Sequence, residues 1–301
     1  MSKKVWHFRA CVYNIYTMGK ILAVDLDGTL MYPKQLTRCI SRKNCKFLQK
    51  WHDAGNKIVI ITSRSDMFLE RLRKEIDRPF DYLATGSSLI CVDGKIIRDV
   101  AMDNNALSDI LAIINKKYQP SAYLLTAKNE PMLIRNCNIS SLFLLAFYKL
   151  YWIFQFKYRE KYIILDSKKF DEKLLTTRNY KVMIFYGFGR KTKEYAKEVN
   201  KALREKHPEI ESSWSYIVNE LTPKDCHKGN GLSFYCDYCG IKPEDVYVVG
   251  DSGNDIEMFN RFHENSFCMK HGGKVVRKYA KYTIRRVYDL DKIVLKGVTN
   301  E

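Results

Sequence analysis

The apolar run Ile21-Leu22-Ala23-Val24 leads directly into Asp25-Leu26-Asp27-Gly28-Thr29-Leu30. A short run without polar alternation reads as a strand buried on both faces, the kind found inside a parallel sheet. Asp25 and Asp27 are two positions apart at the end of that strand, so their carboxylates leave its tip in the same direction. Gly28 lets the chain turn sharply, and Thr29 adds a hydroxyl and a backbone donor. Such a tip is a meeting place for a metal ion, a phosphoryl group and an attacking carboxylate.

The pattern around it alternates. Helical character over Ser41–Ala54 stops at Gly55, a C-terminal breaker. Lys57–Thr62 is a second apolar strand, Asp66–Glu75 a charged amphipathic helix, and Tyr82–Ala84 a short third strand. Leu89–Val92 and Ile96–Ile97, joined at Asp93-Gly94, read as a hairpin. Alternation resumes late, with a helix over Lys228–Cys239, a strand over Val246–Gly250, and a helix starting at Asn254. A strand over Ser266–Met269 and a helix over Lys274–Ala280 follow. Both blocks place Asp, Thr or Gly at the carboxyl ends of apolar strands. This is the pattern of an α/β, doubly wound parallel sheet, whose site lies at those strand ends. The middle lacks acidic strand tips. It has helix-like Ala106–Lys117 and Thr192–Lys206, and strand-like Tyr162–Leu165, Lys181–Phe185 and Ser213–Val218. The predicted organisation is a tail at 1–18, a core of 19–99 and 219–301, and an α+β domain inserted at 100–218. Translation from Met18 is the other reading of residues 1–17.

Charge and cysteine usage narrow the setting. The net charge of +17 attracts anions, including phosphate esters, without choosing among them. Seven basic residues and no acid lie between Lys270 and Arg286. No helix-turn-helix, zinc-finger or RNA-binding signature accompanies them, so no nucleic-acid partner is expected. Nine cysteines, an odd number without a secretory signal, read as reduced thiols in the cytoplasm. Cys236 and Cys239 have CxxC spacing, with Cys226 and His227 upstream, but a helix over Lys228–Cys239 accounts for the pair as one turn. The stretch 142–156, LFLLAFYKLYWIFQF, falls short of the ~20 apolar residues that span a bilayer. It reads as a buried or interface-covering element, with a homodimer contact as the candidate role.

Three more motifs sit at strand tips or helix starts. Thr62-Ser63-Arg64 ends the second strand with hydroxyls and free amides suited to phosphate oxygens. Lys228-Gly229 opens a helix and offers an ammonium to developing negative charge. Gly250-Asp251-Ser252-Gly253-Asn254-Asp255 brings oxygen ligands for a hard cation. In order, context and spacing the four motifs resemble the signature motifs of the haloacid dehalogenase (HAD) superfamily. The long insert and Gly250–Met258 resemble its type IIB, Cof-like branch. One departure stands out: Thr85-Gly86-Ser87 replaces the branch's usual Asn-Gly-Ala.

The resemblance implies a HAD-like, Rossmann-like core with a cap domain, and a Mg²⁺-dependent phosphatase acting on a small phosphorylated metabolite, sugar phosphates first. Asp25 would be the nucleophile and form an aspartyl-phosphate, with Asp27 the general acid and base. Mg²⁺ would lie among Asp25, the main-chain carbonyl of Asp27, and Asp251, with Asp255 supporting the metal or Lys228. Thr62, Ser63, Lys228 and Asn254 would hold the phosphoryl oxygens. The same core also serves phosphotransferases and sugar-phosphate mutases, and the basic charge leaves a non-enzymatic anion- or membrane-surface-binding role as a further alternative.

Overall fold

The computed structural model describes residues 19–137, 160–215 and 217–295. The predicted tail and the aromatic stretch 142–156 lie outside them. The chain begins β1 (Ile21–Asp25), α1 (Arg42–Asp53), β2 (Lys57–Ile61), α2 (Asp66–Ile76) and β3 (Asp81–Ala84), then the hairpin β4 (Leu89–Val92) and β5 (Lys95–Asp99). The middle runs α3 (Asn104–Tyr118), β6 (Ala122–Ala127), β7 (Met132–Asn136), β8 (Tyr162–Leu165), α4 (Ser167–Thr176) and β9 (Asn179–Phe185). It continues through α5 (Thr192–Lys206), β10 (Ile210–Ser215) and β11 (Val218–Pro223). The last part is α6 (Lys228–Cys239), β12 (Val246–Gly250), α7 (Ile256–Arg261), β13 (Ser266–Met269), α8 (Lys274–Arg277) and β14 (Tyr282–Ile284).

Eight strands form the first sheet in the order β14-β13-β12-β1-β2-β3-β4-β5. It is parallel from β14 to β3, and the β4–β5 hairpin adds an antiparallel edge. The continuous apolar runs follow from burial on both faces. Leu22, Val24, Ile58 and Ile60 pack on one side with Phe47, Leu48 and Trp51 of α1 and Leu69 and Leu72 of α2. Ile21, Ala23, Val59 and Ile61 pack on the other with Leu232 and Tyr235 of α6 and Met258 and Phe259 of α7. The fold is therefore the predicted α/β doubly wound sheet. Trp51 is buried without an orphaned donor, because its Nε1 donates to the Lys57 carbonyl at 2.9 Å.

The second sheet has the order β10-β11-β9-β6-β7-β8 and is antiparallel except for β7 with β8. Leu107, Ile110 and Ile114 of α3, Phe170 and Leu174 of α4, and Val199 and Leu203 of α5 bury against it. Its segment enters between β5 and α6, and β11 carries it to Pro223, past the boundary at 218 predicted from sequence.

The middle segment is where sequence and structure differ most. The single strand predicted over Ser213–Val218 is two antiparallel strands, β10 and β11, with the turn falling inside that span. Buried Asn219, whose Nδ2 donates to the Ala196 carbonyl at 2.9 Å, breaks the apolar signal that would have marked β11. The helix predicted to reach Ala280 stops at Arg277. Sequence reading also passed over β6, β7, α4 and β14. Ala-Tyr-Leu-Leu-Thr-Ala in β6 has no strand period: Tyr123 and Leu125 pack with the helices, and Ala122 and Thr126, which alternate with them, are buried too.

Close packing of α6 against the turn after β3 sets the height of Lys228. A methyl group at Gly231 would run into the side chain of buried Ser87. Gly231→Ala is expected to cost about 1–3 kcal/mol through overpacking, read as a lowered urea midpoint. An unchanged midpoint would show that α6 is free to shift.

Candidate active site

Adjacency of β12, β1 and β2 brings three strand tips together. Val24 stands opposite Val249 and Asp25 opposite Ile61, so Asp25, Thr62 and Asp251 emerge at one carboxyl edge. Gly28 takes a left-handed φ of 79°, and a Cβ there would collide with the Asp251 carboxylate. The glycine therefore serves both the turn and the approach of β12's tip to β1's. Thr29 closes the same junction, its Oγ1 donating to Asp251 Oδ1 at 2.8 Å.

A buried charge cluster lies at the centre. Lys228, the first residue of α6, is 3% exposed. Its Nζ donates to Asp25 Oδ1 at 2.6 Å, Asp255 Oδ1 at 2.6 Å and Asn254 Oδ1 at 3.1 Å. Asp255 is fully engaged, since its Oδ2 accepts from the amides of Asp251 and Ser252, both at 2.9 Å. Asp25 is not: its Oδ2 is buried and has no hydrogen-bond partner. Burial pushes the Asp25 carboxyl up to about 8, with the charges of Asp255 and Asp251 adding and Lys228 opposing. Burial also raises Asp251. Burial works against the Lys228 charge as well, but Asp25 and Asp255 outweigh it and hold the ammonium above its usual range.

These residues fit a hard divalent cation. Asp25, Asp251 and Asp255 each offer an oxygen within 4.8 Å of the others, and the orphaned Asp25 oxygen is turned away from Lys228. One ammonium does not balance three carboxylates, and oxygen donors in such a set suit Mg²⁺.

The remaining predicted residues take distinct places. Asp27 is half exposed, and its carboxylate accepts from Arg64 Nε and Nη2, both at 2.6 Å. Its side chain thus stands outside the three-carboxylate cluster, which leaves the main-chain carbonyl as the metal-binding atom expected of it. Thr62 is buried; its Oγ1 accepts from the Arg64 amide at 3.1 Å and keeps its proton for a ligand. The Asn254 amide nitrogen is likewise free to donate, since its Oδ1 is the atom bound to Lys228 and to Ser252 Oγ. Ser63 is engaged through its carbonyl, which accepts from Lys181 Nζ of β9 at 2.8 Å. Beside it Glu160 accepts from the Ser65 amide at 3.2 Å. Sequence reasoning quoted Arg64 but assigned it no role, and it missed Lys181 and Glu160. Their only signal is charge, and their partners lie far away in the chain.

A family model described as haloacid dehalogenase-like hydrolase matches residues 22–294, and the chain belongs to that family. It is an enzyme, a hydrolase of the phosphatase kind. It is similar to the 5-amino-6-(5-phospho-D-ribitylamino)uracil phosphatase YwtE of Bacillus subtilis strain 168, at 26% identity over 256 residues, 80% of this chain and 84% of that protein. Its identity to the phosphatase of the same name, YbjI, of Escherichia coli K12 is 25% over 269 residues, 87% of this chain and 89% of that one. The fold matches a subclass IIB sugar phosphatase with a TM-score of 0.69 at 22% identity, over 93% of this chain and 97% of that chain. A haloacid dehalogenase-like hydrolase from Bacteroides thetaiotaomicron matches with a TM-score of 0.70 at 19% identity, over 92% and 98%. The family read from the motifs therefore holds, and the fold is shared with the subclass IIB structure.

The Asp25 shift has a stability consequence without added metal. Between about pH 4 and pH 8 the unfolded chain releases the Asp25 proton while the folded chain retains it, so stability falls as pH rises. The slope from this proton is at most about 1.4 kcal/mol per pH unit. Urea midpoints across that window are expected to decline in the wild type and to flatten in Asp25→Asn. Equal slopes in the two proteins would contradict the assignment.

Proposed function

We propose that this enzyme is a Mg²⁺-dependent phosphatase of small phosphorylated metabolites, sugar or polyol phosphates first, working through an aspartyl-phosphate on Asp25. The observation that carries the reading is the Lys228 ammonium fixed between Asp25 and Asp255, beside an Asp25 oxygen with no partner. The names of the two relatives above, which include a phosphorylated ribityl chain, support the substrate class.

An Asp25 oxygen attacks phosphorus, and the bond from phosphorus to the ester oxygen breaks. Asp27 delivers a proton to the departing oxygen, then takes one from the water that cleaves the acyl phosphate, releasing inorganic phosphate and restoring Asp25. Bound Mg²⁺, held by Asp25, Asp251 and the Asp27 carbonyl, would supply positive charge that offsets repulsion between the anionic nucleophile and the anionic ester. Lys228 neutralises part of the same charge from the protein side, and Thr62 and Asn254 donate to phosphoryl oxygens. Arg64 holds Asp27 in the resting site, so Asp27 leaves Arg64 to act. The second-sheet domain docks on the Ser63–Ser65 turn through Lys181 and Glu160, which suits a cap that covers the substrate and excludes water.

Phosphate release from a panel of sugar phosphates tests this directly. Activity is expected with Mg²⁺, none after chelation, and none in Asp25→Asn. Lys228→Ala is expected to lower kcat by about 100-fold or more, the usual cost of one preorganised electrostatic donor. Its melting curve checks that the variant is folded. A folded Asp25→Asn protein with near-native turnover would remove the nucleophile assignment, and transfer to an added sugar without phosphate release would replace hydrolysis with phosphotransfer.

A further inference from the structure

A cavity of about 550 Å³ opens next to the carboxylates at the strand tips. His271 stands between the two, its Nε2 3.8 Å from Asp251 Oδ2. Tyr32, Lys270, Arg285, Arg286, Tyr288 and Asp289 form the rest of the wall. Lys270 and His271 follow β13, and Arg285 and Arg286 follow β14. β13 runs parallel beside β12 and β14 parallel beside β13, so their loops leave the same sheet edge as Asp251. The cavity thus gathers residues from the basic run 270–286, which the catalytic proposal leaves unused.

Its positive charge is available. Among the described residues, neither Lys270 nor Arg285 has an acidic partner within ion-pair distance. Arg286 is pinned by a hydrogen bond from its Nη1 to the Arg285 carbonyl at 2.8 Å, and its guanidinium lies 4.7 Å from the centre of the Tyr32 ring. Tyr32 also packs against His271, with ring centres 3.9 Å apart. Asp289, the one acid in the wall, accepts through Oδ2 from the amides of Arg285 at 3.2 Å and Arg286 at 2.9 Å. That carboxylate braces the turn that carries the two arginines. Three cations lining one concavity repel a cationic ligand and would be desolvated without return by an apolar one. A tetrahedral oxyanion presents acceptors to all three, and arginine matches phosphate with paired donors.

We propose that this cavity binds a phosphate group other than the one being cleaved. The inference rests on the cavity's charge and shape, and takes from the proposed function only that the ligands are phosphorylated. The group is either the second phosphate of a bisphosphorylated substrate or a separate inorganic phosphate.

Calorimetric titration of the full chain distinguishes these, without added metal so that no turnover intervenes. The probes are a hexose monophosphate, a hexose bisphosphate and inorganic phosphate, each against the wild type and the Lys270→Gln/Arg285→Gln double variant. Charge-assisted hydrogen bonds of this kind lead to an expected advantage of about 10-fold or more for the bisphosphate over the monophosphate, abolished in the double variant. Equal binding of the two esters, with inorganic phosphate filling two sites in the wild type and one in the variant, would assign the cavity to separate phosphate. A double variant that melts like the wild type and binds all three probes as the wild type does would overturn the proposal, as would a wild type that binds neither bisphosphate nor phosphate. Phosphate release with Mg²⁺ is a separate readout. A chain that turns over substrate but shows no second site keeps the phosphatase reading and loses this one.

Discussion

Lys228 is buried almost completely, and a lysine can stay charged there only if carboxylates meet it at close range. Asp25 and Asp255 do so at 2.6 Å each, and much of the core's geometry follows from bringing the three together. Asp25 must end β1, Asp255 must close the turn after β12, and α6 must start where its first side chain points between them. Those elements are held by tight contacts: a Cβ at Gly229 would come within 2.9 Å of the Glu257 backbone on α7, and one at Gly250 would strike Asp255. The glycines are thus part of the electrostatic arrangement, because they let helix and strand approach closely enough for the charges to pair.

The cluster is deliberately unbalanced in charge. Three carboxylates surround one ammonium, and Asp255 spends both oxygens on Lys228 and on the amides of its own turn. The imbalance is concentrated on Asp25 and Asp251, the two acids that face outward from the strand tips. Burial raises both, so the site as folded favours whatever positive charge arrives. Asp27, in contrast, is half exposed and held by Arg64 rather than by Lys228. Two carboxylates separated by one residue therefore live in different surroundings, which is the physical basis for giving one the role of nucleophile and the other that of proton carrier.

The turn carrying Arg64 is also where the two sheets meet. Lys181 from β9 and Glu160 ahead of β8 bind the backbone at Ser63 and Ser65, on either side of the residue that grips Asp27. A movement of the second sheet would be felt at the proton carrier through a single turn. On the opposite flank, the basic cavity touches Asp251 through His271. The carboxylates at the strand tips thus have a neighbour on each side, one from the second sheet's segment and one from the last strands of the first sheet.

The doubly wound sheet was legible because its strands are buried on both faces and read as unbroken apolar runs. Their tips were legible because Asp25-Leu26-Asp27-Gly28 and Gly250-Asp251 are short, local and chemically unusual. The second sheet was much less so. β6 lacks a strand period, and β11 hides a buried asparagine inside, so their identity depends on partners far along the chain.

The sequence by itself determined the family, the order of the four motifs and the acidic strand tips at Asp25-Leu26-Asp27 and Asp251, since each is written in a few adjacent residues. Only the tertiary structure decided that Arg64 grips Asp27, that Lys181 and Glu160 reach the same turn, and that Tyr32 joins the basic run 270–286 in one cavity. Those relations join residues from roughly 40 to 250 positions apart, across the strand crossovers of the parallel sheet and the segment that enters between β5 and α6. Side chains of ordinary type carry no local mark of partners that only folding brings to them.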